Sequence, residues 1–541
     1  MAGNTPPSPA PKMKGMRTLM ETLLALAKTQ PLRIYGSYPL TDDVKDGFRD
    51  FTFSELVDAV DRCAWFIRGS LGMSQSYETL LYQGESDFRY TIVLFAAIKC
   101  GYKTYYQNPK NPLEENLAML DDIDCSKALY SVERKELIDQ YQLARPRLEA
   151  FQIASLHELF QSSRVEHFPW ERKPWEEAKH DPIIVLHSSG TTGPPKPIVY
   201  QNGALKGLDT AWPDDAGAMR LFDSLDGAFV YGPFPAFHLG GFHFNSVMPI
   251  FSRCAMVMAP PASLPAQNGP LALHIIKVKH VRMLCAPPVL LTEISRCEGG
   301  IDTLAGLSCI LYGGGPLRSA LGDELTARGV KLVSIYGSTE ANWIPSLSPT
   351  REDWEWIQFH PEAKVAWARL DESSEMYELC FKDEGPIINE RRATHWTLKV
   401  DEWRSKDLFI QHPSKSYLWK YIGRRDDILV LENSAKVNPI PVEDVVHAHP
   451  LISGAMMAGE HRWPPCFLIE PREHIADVES FRRNIWPIIE EANELVRKDN
   501  RVPFQNVIVI WPGGFERSPK GGIMRHKSAR KMADLIAGLY S

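Results

Sequence analysis

The chain has 541 residues, of which 44% are hydrophobic and 23% charged, with a formal net charge of −7 at pH 7. These proportions exclude a disordered or fibrous chain and suit roughly three or four domain-sized units. The mild acidic excess offers no basic face, so neither a nucleic-acid nor a membrane partner is expected.

Along the chain, Pro6, Pro7, Pro9 and Pro11 stand among small residues and mark 1–15 as a flexible leader. The apolar segment Leu19 to Ala27 is broken by Glu21 and Thr22. It reads as an amphipathic first helix, because no small-residue cleavage site follows it. No apolar run reaches the ~18–20 residues of a membrane span. Leu56, Val57, Val60, Cys63, Ala64 and Ile67 recur at helical spacing within Phe53 to Ile67, and Ile92 to Cys100 predicts a buried helix stopped by Gly101. Ile183 to Leu186, Cys309 to Tyr312 and Lys331 to Ile335 read as short apolar strands. Strands alternating with helices over this length predict an α/β protein with sizeable parallel sheets. After about residue 422 the texture changes. A strand at Ile428 to Leu431, a helix starting at Val442 and a strand at Phe467 to Ile469 predict a separate small α+β unit. The expected division is a leader 1–15, a large domain 16–422 and a small domain 423–541. The nine cysteines are scattered with no Cys-x-x-Cys pair, which argues against zinc and against a disulfide framework. A cytoplasmic protein with reduced thiols is expected.

The most informative segment is Leu186-His187-Ser188-Ser189-Gly190-Thr191-Thr192-Gly193-Pro194-Pro195-Lys196-Pro197. Small residues let backbone N–H groups approach a polyphosphate closely, hydroxyls add donors and the lysine adds charge. A plain Ser/Thr/Gly turn would explain the glycines but not the order. The Gly-to-Lys spacing is too short for a Walker P-loop, and Pro197 stands where Ser or Thr would follow the lysine. The string closely resembles the signature loop of the adenylate-forming superfamily, which includes acyl-CoA synthetases, luciferases and the adenylation domains of peptide synthetases.

The resemblance extends over nearly the whole chain. Phe237-His238-Leu239-Gly240-Gly241-Phe242 is similar to the family's substrate-side motif. Amino-acid-activating relatives have an aspartate at the position of His238, so the histidine argues for an aryl or alkyl acid. Tyr312-Gly313-Gly314-Gly315-Pro316 follows a strand. Three glycines pack no core, so something else is expected to approach this backbone, and the resemblance implies that Gly313, Gly314 and Gly315 lie beside adenine and acid. In Tyr336-Gly337-Ser338-Thr339-Glu340 it implies a tyrosine stacked on adenine, a threonine at the phosphate and a Mg²⁺-holding glutamate. Asp407 would bind the ribose hydroxyls, Tyr421 and Arg424 the nucleotide, and Asp426 would be the hinge. Ser434 stands where most relatives have glycine, which puts thioester formation in question. Lys520, in Arg517-Ser518-Pro519-Lys520-Gly521-Gly522, would lie on a mobile loop and reach the carboxylate and the α-phosphate together.

The implied fold is a large N-terminal domain of β-sheets flanked by helices with a small mobile α+β C-terminal domain. The implied reaction joins a small carboxylic acid to ATP with Mg²⁺, giving an acyl-AMP. The His187-Ser188-Ser189 start and Gly423-Arg424-Arg425-Asp426-Asp427 with Lys436-Val437-Asn438-Pro439 resemble adenylation domains of fungal peptide-synthetase-like carboxylic acid reductases. That branch implies transfer to the phosphopantetheine thiol of a carrier domain in cis or in trans. A free-standing ligase using CoA or an amine is the alternative. An inactive nucleotide-binding module is the reading from another class, and Glu340, Asp407, Arg424 and Lys520 together speak against it.

Overall fold

The computed structural model describes residues 15–161, 163, 165–188, 196–210, 225–261, 263, 268–344, 346–347, 350–370, 375–382, 402–433, 435–517 and 522–540. Two large sheets dominate. One has six strands in the spatial order Glu149–Gln152, Lys127–Tyr130, Thr79–Gln83, Lys103–Tyr106, Pro182–His187 and Pro197–Gln201. The other has seven, ordered Leu332–Ser334, Cys309–Tyr312, Met283–Ala286, Phe229–Tyr231, Ala255–Val257, Ile34–Pro39 and Phe48–Thr52. Each is parallel except for its last pair. Strands covered on both faces read as continuous apolar runs rather than alternations, and Met283–Ala286 and Cys309–Tyr312 are buried at every position.

The main core cluster draws on both sheets and on the helices between them. The helix Phe53–Leu71 starts at a capping box, in which Thr52 Oγ1 accepts the Glu55 N–H and the Glu55 carboxylate accepts the Thr52 N–H. Its Leu56, Val60, Cys63, Ala64 and Ile67 are fully buried, as the spacing predicts, while Val57 is only partly buried. The first helix runs Leu19–Thr29, capped by Thr18. Gly15, assigned to the leader from sequence, belongs to the folded body instead: it is buried and its N–H donates to Asp209 Oδ2 at 2.6 Å, beside the Arg17–Asp209 ion pair. Residues 1–14 lie outside the described residues.

A four-stranded antiparallel sheet follows, Ala366–Arg369, Met376–Lys382, Glu402–Gln411 and Trp419–Arg424 in order. Its last strand carries the chain across position 422 into the 3-10 turn Arg425–Asp427. Beyond it, the strands Ile452–Ala458, Cys466–Pro471 and Val507–Val509 form a small mixed sheet. Helices Ile440–His447 and Val478–Asn493 pack on one face, sharing a core with Met457, Phe467 and Ile469. Met456, Leu468 and Met532 meet on the other face. The strand expected at Ile428 to Leu431 shortens to Leu429–Val430, paired with Lys436–Val437.

Candidate functional site

The antiparallel hairpin Pro182–His187/Pro197–Gln201 sets Ser188 and Lys196, the two ends of the Ser/Thr/Gly segment, at the edge of the six-stranded sheet, with His187 opposite Pro197. Its mouth is pinned twice: Ser188 N–H donates to the Lys196 carbonyl at 3.1 Å, and Lys196 N–H donates to Ser188 Oγ at 3.2 Å. Ser189, Gly190, Thr191, Thr192 and Gly193 lie outside the described residues. Just before the mouth, His187 Nε2 accepts the Asn108 N–H at 3.0 Å, so its Nδ1 carries the proton and donates to the Ser188 carbonyl at 3.0 Å. Burial holds this imidazole below its ordinary pKa, which keeps it neutral and fixes the tautomer. In the sequence His187 serves only as a mark of the branch; the structure makes it the anchor of the loop's entrance.

Tyr336–Ser338 and Asn342–Ile344 form a small hairpin whose turn presents Thr339 and Glu340. Gly337 is needed there, since a Cβ would stand 2.8 Å from the Asn342 carbonyl oxygen. The strand Pro197–Gln201 holds this turn: Tyr200 Oη–H donates to the Thr339 carbonyl at 2.5 Å. Glu340 is half-buried, and its charge acts on both Tyr200 and Asp407.

The antiparallel register places Asp407 opposite Arg424. Arg424 Nε lies 3.9 Å from Asp407 Oδ1, and Tyr336 donates its hydroxyl to Asp407 Oδ2 at 2.5 Å. Burial raises the Asp407 carboxyl to about 6, against the pull of Arg424 and of the tyrosine hydroxyl. The Tyr336 ring lies edge-on to Phe359 and Phe409 and tilted against Tyr421. It is 8% exposed, so little of it is open to a stacking base in this state.

The three-glycine segment divides by position. At Gly313 a Cβ would meet the Ile335 carbonyl oxygen at 2.7 Å, so the protein's own backbone already requires a glycine there. Gly314 has φ +82°, and Gly315 faces open space. On the acid-side motif, His238 is half-exposed and caps the helix Leu239–Phe242, its Nδ1 accepting the Gly240 N–H at 3.3 Å. Gly241 is required because a Cβ would lie 2.1 Å from the Pro235 carbonyl oxygen. Phe237 is half-buried beside it. An aromatic shell adjoins this motif, with Phe234 stacked on Phe244 at 5.5 Å and Phe244 on Trp343 at 6.2 Å. Trp343 was not singled out in the sequence; its place four residues after Thr339 on the same hairpin was the available signal.

Lys520 and Ser434 lie outside the described residues, but the base of the Lys520 loop does not. Arg517 pairs with Ile523 in an antiparallel bridge, and Met524 N–H donates to the Glu516 carbonyl at 2.8 Å. Arg517 binds the buried Glu470 carboxylate and the Ser453 carbonyl, the latter at 3.1 Å. Arg525 binds the Glu443 carboxylate, and the Met457 carbonyl at 2.7 Å, with Asp427 3.9 Å away. At the expected hinge, Asp426 pairs with Lys406 at 3.2 Å. Among the described residues no three His, Cys, Asp or Glu side chains gather into a metal cage. A lone half-buried carboxylate such as Glu340 fits a Mg²⁺ that takes its other ligands from phosphate oxygens and water.

The AMP-binding enzyme family matches residues 33–359, and the AMP-binding enzyme C-terminal domain matches residues 426–541. A carboxylic acid reductase from Neurospora crassa is 29% identical over 94% of this chain and 49% of its own length. The adenylate-forming reductase Nps9 of Serpula lacrymans is 26% identical over 93% of this chain and 47% of its own length. The chain thus spans about half the length of these relatives. In fold it is similar to ATP-bound MatB from Rhodopseudomonas palustris (TM-score 0.71, 15% identity, covering 97% of this chain and 100% of that one). It is likewise similar to the anthranilate CoA ligase AuaEII in complex with anthranoyl-AMP (TM-score 0.72, 16% identity, 97% and 100% covered). No helix among the described residues is long and apolar enough to cross a membrane. The chain belongs to the family of AMP-binding, adenylate-forming enzymes.

Proposed function

We propose that this adenylate-forming enzyme activates an aryl, non-amino carboxylic acid as its acyl-AMP and then passes the acyl group to the phosphopantetheine thiol of a carrier domain. The observation that carries the reading is the joining of three separate motifs around one carboxylate: Asp407 is bound by Tyr336, faced by Arg424 and within the field of Glu340. A buried carboxylate with a cation beside it suits two vicinal ribose hydroxyls.

In the proposed reaction a carboxylate oxygen attacks the α-phosphorus of ATP. A new P–O bond forms, and the bond to pyrophosphate breaks. Both reactants are anions, so the site must offset their repulsion and hold them in line. Bound Mg²⁺ would neutralise charge on the departing phosphates, with Glu340 as its protein ligand. Ser188, Ser189, Gly190, Thr191, Thr192 and Gly193 would cradle the triphosphate, with Thr339 and Lys196 beside it. Gly314, Gly315, Gly337, Ser338 and Tyr421 would border the nucleotide, and Phe237, His238, Gly241 and Gly313 the acid. Lys520 would bridge the attacking oxygen and the α-phosphate, and Asp426 would be the pivot of the small domain. No general base is needed, because the acid is already ionised near pH 7. The histidine at 238, where amino-acid-activating relatives have an aspartate, supports a non-amino acid, and the aromatic shell supports an aryl one.

The acceptor is tested by following acyl transfer from the preformed acyl-AMP to a purified carrier domain, to CoA and to simple amines. Faster loading of the carrier is expected; transfer to CoA or an amine alone would replace the carrier by that acceptor.

A further inference from the structure

The helix Leu239–Phe242 does not continue as an α-helix; the next turn, His243–Val247, is wound as a π-helix. Such widened turns recur where a fold gives up backbone regularity for a site. This one sets His243, 3% exposed, against the hairpin that carries Thr339 and Glu340. The ring is hydrogen-bonded to the Asn342 side chain. Asn342 spends its amide N–H on the Ala204 carbonyl at 2.8 Å and takes the Trp343 N–H on its oxygen, also at 2.8 Å. That oxygen has a second lone pair, so it is the atom of Asn342 able to accept an N–H from this ring. Asn342 itself sits at φ +64°, a conformation that few non-glycine residues adopt.

The other ring nitrogen, Nε2, is buried and has no hydrogen-bond partner among the described residues. Burial keeps the ring neutral, lowering its pKa to about 3, so Nε2 offers a bare lone pair. Its surroundings are aromatic: Trp343 lies 6.5 Å away and near-parallel, and Phe242 is at 5.6 Å. These are the shell residues beside His238 and Gly241. A buried acceptor in an aromatic wall is complementary to a ring that carries its own donor.

We infer that His243 Nε2 accepts a hydrogen bond from a hydroxyl or amino group on the ring of the acid, so that the preferred substrates are aryl acids bearing a donor substituent. The inference rests on the reading of the aromatic shell as the acid pocket. A site built around a hydrogen bond rejects the analogue that lacks it far more strongly than an apolar pocket rejects an added group. His243 is thereby a specificity-determining residue, and the position of the donor on the ring is what it reads.

The test compares kcat/KM for acid-dependent pyrophosphate release with benzoate, its three monohydroxy isomers, its three amino isomers, and the fluoro and methoxy counterparts of each. With the unaltered protein, at least one donor-bearing isomer is expected to exceed benzoate and its own fluoro and methoxy counterparts by about tenfold or more. His243→Phe, which keeps an aromatic ring and removes the acceptor, should abolish that preference, read within the variant as the ratio of kcat/KM for the donor-bearing acid to that for its own fluoro and methoxy counterparts. Equal turnover of hydroxy, amino, fluoro and methoxy acids by the unaltered protein overturns the inference without any variant, as does a preference that survives His243→Phe. Turnover of alkyl acids alone would overturn the aryl pocket as well. Turnover of aryl acids without preference would overturn only the role of His243.

Discussion

Burial raises the Asp407 carboxyl to about 6, and Arg424, 3.9 Å away, offsets that rise only in part. Below that value the carboxyl is protonated, its attraction to Arg424 is lost and the ribose loses an anionic acceptor. We therefore predict that kcat/KM for ATP falls roughly tenfold per pH unit on the acid side of about 6. Asp407→Asn should be slower at neutral pH by about tenfold and should lack this limb; an unchanged acid limb in that variant would remove Asp407 as its origin. The sign for stability is opposite. Between 3.8 and about 6 the folded protein holds this proton while the unfolded chain has released it, so this group favours the fold toward acid and disfavours it above. Asp407 and Arg424 were both singled out from their motifs, but their pairing was not, because it depends on a register across the Glu402–Gln411 and Trp419–Arg424 strands. Asn342, Trp343 and His243 were not legible as a group. Each is ordinary in sequence, and their meaning comes from packing between a π-turn and a hairpin about a hundred residues away.

Elements with both faces covered were the easiest to read. Cys309–Tyr312 is the strand that its apolar run predicts, and Phe53–Leu71 buries the residues that its spacing selects except Val57, which is only partly buried. The antiparallel sheet from Ala366 to Arg424 was missed as a sheet, because Glu402–Gln411 mixes buried and exposed positions without clean alternation. Sheet order was also beyond the sequence: Ile34–Pro39 pairs with Ala255–Val257, more than two hundred residues on. At this scale the base of the Lys520 loop carries a prediction. Arg517 is about a third exposed and binds Glu470, which is 2% exposed. Removing the arginine leaves this buried carboxylate without its cation and with only the Ser453 hydroxyl and the Phe515 N–H as donors among the described residues, and after allowance for solvent on the arginine side the expected cost is about 1–3 kcal/mol. Arg517→Ala should lower the midpoint of denaturant unfolding and reduce kcat for pyrophosphate release severalfold, with KM for ATP little changed. A loss of stability with kcat intact would make the pair structural only.

For the whole molecule, the junction between the large and small parts includes exposed polar contacts. The chain passes from Trp419–Arg424 through the turn Arg425–Asp427, with Lys406–Asp426 paired across it in partly exposed positions. Asn438 Nδ2 donates to the Ile422 carbonyl at 3.0 Å, and Lys527 approaches Glu115 at 3.9 Å. Such contacts are weak enough to exchange for others as a domain turns. We expect that cross-linking the small domain to the large one, through cysteines at positions 115 and 527, leaves at most one of the two half-reactions running. Complete acyl transfer by the cross-linked protein would rule out rotation about Asp426. The class of fold, with parallel sheets first and a small α+β unit after, was readable from the alternation of strands and helices and the change of texture past residue 422. The central claim stands on chemistry. Its most direct test is pyrophosphate release from Mg·ATP across a panel of aryl, alkyl and amino acids, with Lys520→Ala as the control. The account predicts release that depends on aryl acids and falls about a hundredfold or more in the variant while ATP still binds. Release driven by amino acids, or undiminished in Lys520→Ala, would contradict it.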